Sequence, residues 1–206
     1  VRGVKGGKIN SRVYCKDALT KAQVKALLEA VNGNKRDRAM VMLMIYNGLR
    51  TIEIARADIE DLRNQGDKEV LWIQGKGHND KDDFVVLSEP VLKALRAYLR
   101  TRKGKKPGDP LFVNQLKNGN IRRLHTGSIS WIVKSYLRSI GIDDTRITAH
   151  SLRHSTATMA YYAKVPVEEI QGLMRHSQIT TTMKYVHTIK KTESNVERRI
   201  AQFIAA

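Results

Sequence analysis

The stretch Ala149–Ser155, "AHSLRHS", places His150, Arg153 and His154 within one and a half helical turns. On a helix, positions i, i+3 and i+4 share a face, so the three side chains can converge on one ligand. Two chemistries compete. Histidines at i and i+4 can ligate zinc. Residue 151 is Ser, however, so the His-Glu-x-x-His pattern of zinc hydrolases is absent, and Arg153 between the imidazoles repels a cation. A phosphate fits better. A planar guanidinium matches phosphate oxygens with paired N–H bonds, and an imidazole can donate to an oxygen or carry a proton.

Residues of the same chemistry recur along the chain. Arg50 follows a helix stop in "GLRTIE", and Lys76 lies between glycines in "GKG", where backbone can approach a ligand closely. His176 and Tyr185 stand nine residues apart in "RHSQITTTMKYVHT". Each has an ordinary explanation when taken singly. Arg50 can pair with Glu53, Lys76 can be a solvated loop residue, and Tyr185 can be part of the core.

Their order changes the reading. An Arg, a hairpin Lys, His-x-x-Arg, a second His and then a Tyr resemble the catalytic domain of the tyrosine recombinases, the phage-integrase family. The matching segments are "GLRTIEI", "GKG" with a following strand ending in "VVL", "TAHSLRHSTAT" and "LMRHSQITTTMKYVHT", in a span that opens at "ALTKAQVKALL". Two positions depart from the pattern. Arg175 stands where the family commonly has Gly, which puts the local turn in question and adds a cation. The turn after Lys76 is acidic, with Asp80, Asp82 and Asp83.

The resemblance implies a site of Arg50, Lys76, His150, Arg153, His176 and Tyr185, with no metal and no cofactor. Arg50 and Arg153 would grip the non-bridging oxygens of a phosphodiester, where negative charge builds, and His176 would add a donor. Tyr185 would be the nucleophile, giving a 3′-phosphotyrosine. His150 would be the base and Lys76 the acid for the leaving 5′-oxygen. His154 has no family role and is expected to be structural. The implied activity is site-specific recombination of double-stranded DNA by a homo-tetramer. A type IB topoisomerase-like relaxing enzyme and a non-catalytic DNA-binding protein are the alternatives.

The elements that must position these residues read as mostly α with a small antiparallel β-sheet. "TKAQ" (Thr20–Gln23) has the form of a capping box ahead of a helix. "RDRAMVMLMIYNG" predicts a buried helix stopped at Gly48, and "RTIEIARA" a short one. "EVLWIQ" and "FVVL" predict a hairpin around the charged "GKGHNDKDD". Helices are predicted in "VLKALRAYLRTR", "TGSISWIVKSYLRSIG", "AHSLRHSTATMAYYAK" and, opened by Pro166, "PVEEIQGLMRHS". "TTTMKYVHT" reads as a short helix or turn. "SNVERRIAQFIA" carries an apolar stripe of Val196, Ile200, Phe203 and Ile204.

Composition bounds the partner. The 206 residues include 37 Lys plus Arg against 20 Asp plus Glu, a net charge of +17 spread through the chain. That points to a polyanion. Cys15 is the sole cysteine, which excludes an internal disulfide and a Cys-based zinc site. No apolar run approaches the roughly 18 residues of a spanning helix, and the resemblance implies a cytoplasmic protein of prokaryotic, phage or mobile-element origin. Residues 1–17, basic and glycine-bearing, are expected to be a linker from an N-terminal DNA-binding part. Residues 18–188 are expected to be the catalytic domain. Residues 189–206 are expected to be a tail helix that either covers its own domain or, as often in the resembled family, docks on a neighbouring protomer.

Overall fold

The computed structural model describes residues 17–75, 77, 79–115 and 121–205. All but the last residue of the expected linker, and Lys76 itself, lie outside the described residues. Helix α1 (Lys21–Ala30) begins where the capping box requires. The Thr20 hydroxyl accepts from the Gln23 backbone N–H at 3.2 Å, and the Gln23 side chain accepts from the Thr20 N–H at 2.9 Å. This reciprocal pair satisfies N–H groups that a helix start leaves without partners.

Helix α2 (Lys35–Tyr46) is the centre of the molecule, and every residue from Ala39 to Ile45 is buried. A helix apolar on all sides has to be surrounded. It packs against α1, α4 (Glu89–Leu99) and α6 (Ala149–Tyr162). Its end is set by Gly48, with φ of 59°. A Cβ at Gly48 would also sit 3.2 Å from the Met174 sulfur. Gly48 therefore turns the chain into α3 (Thr51–Arg56) and lets α7 (Val167–Met174) approach the turn.

The expected hairpin is present as β2 (Lys68–Ile73) and β3 (Asp83–Val86), with Leu71 opposite Val85. The sheet extends beyond the expectation. Strand β1 (Leu62–Gln65) pairs antiparallel with β2, and a separate pair joins β4 (Val113–Gln115) to β5 (Ile121–Arg123). These strands have three or four residues each, too few to show a period of two, and "LRNQ" is polar. The class is as read, mostly helical with small antiparallel sheets.

Helix α5 (Thr126–Ser139) packs on α3 and α6. Helix α8 (Ile179–Glu193) is much longer than a short helix or turn. Its threonines are weak helix formers. Buried Thr182 and Val186, four residues apart, hold it against α6 and α7. In α9 (Val196–Ile204) no residue is buried, and the apolar stripe faces outward, with Phe203 86% exposed. Among the described residues no helix is long and apolar enough to cross a membrane.

Leu43, fully buried on α2, is expected to cost about 2–5 kcal/mol on truncation to Ala, from lost transfer energy plus the cavity. Phe203→Ala should change single-chain stability by less than about 0.5 kcal/mol. Urea unfolding of both variants checks the contrast, and equal costs would mean that α9 packs on its own chain.

Candidate active site

Helix α6 divides the residues of "HSLRH". His150 is exposed, whereas Arg153 and His154 are buried. Arg153 is 2% exposed and is the largest fully buried side chain among the described residues. Its Nη1 donates to the Gly48 carbonyl at 2.5 Å, and its Nη2 donates to the Met174 carbonyl. One guanidinium thus ties the end of α2 to the end of α7. Burial, with the neighbouring Arg50 and Arg175 cations, pushes Arg153 down to about 9, so it keeps its charge at neutral pH.

Arg50 sits immediately before α3. Its Nη1 donates to Glu53 Oε1 at 2.7 Å, and its backbone N–H donates to Glu53 Oε2 at 2.8 Å. Glu53 is fully buried and also receives Arg175 Nη2 at 2.9 Å. A carboxylate in such a place must be paired and hydrogen-bonded. Here two guanidinium groups share it. The pairing of Arg50 with Glu53 agrees with the sequence, but the second cation on the same carboxylate does not follow from it.

Arg175 adopts the left-handed conformation, φ 50° and ψ 49°, that its place after α7 demands. The turn usually made by Gly is kept, with Arg carrying the local strain. Its Nη1 donates to the Leu173 carbonyl at 2.8 Å and its Nη2 reaches the Gly48 carbonyl at 3.3 Å. The next residue, His176, is fixed at three points. Its N–H donates to the Gln171 carbonyl at 3.2 Å, and Gln171 Nε2 donates to its carbonyl at 3.0 Å. Its Nδ1 lies 2.9 Å from the hydroxyl of buried Thr182.

Tyr185 lies one turn beyond Thr182 on α8. Its ring is stacked parallel to His176 with centroids 6.1 Å apart, and is tilted against His154 at 4.9 Å. His154 in turn meets the edge of His150 at 4.7 Å. His154, expected to be structural, is buried and packs against the rings of both Tyr185 and His150. Burial lowers His176 to about 4, and the charges of Arg153, Arg50, Arg175 and His150 push the same way. The fold therefore gathers Arg50, His150, Arg153, His176 and Tyr185.

Lys76 lies outside the described residues. Gly75, Asp82 and Asp83 line a cleft of about 640 Å³ together with Arg50, Glu53, Arg175, His176 and Glu168. The far end of the β2–β3 connection is anchored by Lys81, whose ammonium donates to Asp58 and Asp61 at 2.6 Å each. Among the described residues no group of three or more His, Cys, Asp or Glu is placed to hold a metal ion. The positioning groups that sequence reasoning misses are the Gly48 and Met174 carbonyls, the Arg175 contact to Glu53, and Thr182. None has a local signature, because each partner is brought in by packing.

His176 should stay neutral as pH falls through the usual histidine range and titrate near 4. Because this folded value is depressed, the unfolded chain binds the proton first, and stability should decline as pH drops below about 6.5 toward 4. NMR titration of the His176 ring measures the midpoint directly, and a midpoint near the ordinary histidine value of about 6.5 would contradict the site as described.

The chain's likeness to known proteins follows the same lines. Residues 17–192 match the model of the "Phage integrase family". A tyrosine recombinase of Pseudothermotoga lettingae is 32% identical over 202 residues, covering 98% of this chain and 66% of that protein. The crystal structure of XerA recombinase superposes with a TM-score of 0.71 at 26% identity, over 89% of this chain and 65% of that one. XerH site-specific recombinase bound to palindromic difH substrate, in a post-cleavage complex, shares the fold at 23% identity and a TM-score of 0.70, over 88% of this chain and 54% of its own. The chain spans between half and two thirds of the length of these proteins. With the family's model matched from the first described residue almost to the end of α8, the chain belongs to the phage integrase family, among whose members its relatives are tyrosine recombinases.

Proposed function

We propose that this chain is the catalytic part of a site-specific recombinase that cleaves and rejoins duplex DNA through a 3′-phosphotyrosine, without metal or ATP. The observation that carries the proposal is the setting of Tyr185. Its ring lies against His154 and His176, and the Arg50, Arg153 and Arg175 charges act on the same cluster. A phenol with a reference pKa near 10 is mostly protonated at pH 7. It needs a base, or a surrounding of cations, to give up its proton.

In the proposed reaction the Tyr185 oxygen attacks phosphorus. A bond from phosphorus to the phenolic oxygen forms, and the bond to the 5′-oxygen breaks. The phenolic proton passes to His150, and the leaving 5′-oxygen takes a proton from Lys76. Arg50 and Arg153 hold the non-bridging oxygens, supplying the charge that a metal would otherwise bring. Neutral His176, its Nδ1 engaged by Thr182, presents Nε2–H as a further donor. The 5′-hydroxyl of a second strand then attacks phosphorus and gives its proton to Lys76, the bond from phosphorus to the phenolic oxygen breaks, and Tyr185 takes back its proton from His150. The energy of the broken ester is kept in the phosphotyrosine, so rejoining needs no nucleotide.

Duplex DNA as the partner is supported by the net charge of +17. Residues 18–188 would be the catalytic unit and residues 1–17 a linker from an N-terminal DNA-binding part. The outward-facing stripe of α9 would dock on a neighbouring protomer in a tetramer. Type IB topoisomerase-like relaxation uses a similar constellation, and resolution of a Holliday junction separates the two activities.

Tyr185→Phe should bind duplex DNA as well as the parent, since phosphate contacts dominate affinity, yet form no covalent complex on a nicked suicide substrate. Covalent attachment by the Phe variant would remove Tyr185 from its role. Deleting the chain from Val196 should leave the melt of the single chain almost unchanged while assembly on DNA falls. Analytical ultracentrifugation with and without DNA checks this, and unchanged assembly would place the docking surface elsewhere.

A further inference from the structure

The third guanidinium of the cluster, Arg175, holds no reacting atom in the reaction as proposed. Arg175 is largely buried, occupies a backbone conformation that suits Gly, and directs Nη2 to the Glu53 carboxylate at 2.9 Å. The charges explain why a cation outweighs that strain. Arg50 contacts the buried Glu53 carboxylate through both its side chain and its backbone N–H. Were this the whole arrangement, one carboxylate would cancel one guanidinium, and Arg50 would meet a phosphate as half of a neutral pair. The cleft is also rimmed by Asp82, Asp83 and Glu168, which lower the potential an anion meets.

We propose that Arg175 is a positioning residue that neutralises Glu53, so that Arg50 stays fixed by the carboxylate while its charge remains available to the scissile phosphate. With Arg50, Arg153 and Arg175 set against Glu53, the cluster keeps a net excess of two positive charges, enough for a phosphodiester gaining charge as it is attacked. Without Arg175 the excess is one. Arg175 touches carbonyls and Glu53 rather than the reacting atoms, so it acts through Arg50. The Gly48 carbonyl ties this arrangement to Arg153, because Arg153 Nη1 and Arg175 Nη2 both donate to it. This inference rests on the phosphotyrosine reading above.

The test compares Arg175→Gln with Arg175→Lys. Both carry the same left-handed strain, so they differ in charge. Single-turnover cleavage of a nicked suicide substrate should fall about tenfold or more for Gln, on the scale of weakening one transition-state donor. It should stay within about threefold of the parent for Lys, and duplex binding should change little in either. Equal loss in both variants would assign Arg175 to packing, and full activity in Gln would remove it from the site. If Arg175→Gln does not fold, the Glu53→Gln background replaces it. Once the carboxylate is neutral, adding Arg175→Gln should change the cleavage rate by less than about threefold, as expected when two residues act through one interaction. A further large loss would overturn the proposal. A parent chain that forms no covalent complex would overturn the phosphotyrosine reading itself, whereas a covalent complex with an indifferent Arg175 would overturn this inference alone.

Discussion

The structure depends on a buried cation. Arg153 leaves water almost completely, and an isolated charge does not survive such a transfer without partners. Its compensation comes from the Gly48 and Met174 carbonyls, contributed by the turn after α2 and the end of α7. The Met174 carbonyl is the last of α7, at the helix end that carries partial negative charge. Holding Arg153 therefore draws three helices to one point. Gly48 makes this approach sterically feasible, because a side chain there would press on Met174. The charge cluster and the packing of α6 against α2 and α7 are the same construction.

Around this point the remaining groups are fixed in pairs. Glu53 sets Arg50 through a contact three residues long and Arg175 through one that spans 122 residues. Thr182 sets the His176 ring, and His176 and His154 set the ring of Tyr185. Burial and neighbouring cations keep His176 neutral at ordinary pH. In the proposed reaction that neutrality suits a hydrogen-bond donor to a phosphate oxygen, while the permanent charge comes from arginine.

What can be read from the sequence is what is local or periodic. The Thr20–Gln23 box and the apolar run of α2 identify themselves, since their partners lie within a helical turn or all around the element. The Arg50–Glu53 pair is visible as an i, i+3 neighbour. The strands β1, β4 and β5 are not, being too short and too polar for alternation to register. The length of helix α8 is hidden because its threonines argue against a helix, and only packing of Thr182 and Val186 overrides them. Arg175 reads as an irregularity in a turn. Its contact with Glu53 becomes apparent only once the chain ends of α3 and α7 are brought together.

A crystal structure of the Tyr185→Phe chain on duplex DNA tests most directly whether this buried-cation cluster holds the scissile phosphate. One phosphate should have its non-bridging oxygens within hydrogen-bond distance, about 2.7–3.1 Å, of both Arg50 and Arg153. The substituted ring at position 185 should point at its phosphorus, with Arg175 still on Glu53. A DNA backbone that crosses the chain elsewhere, with Arg50 turned wholly to Glu53 and no phosphate near Arg153, would contradict it.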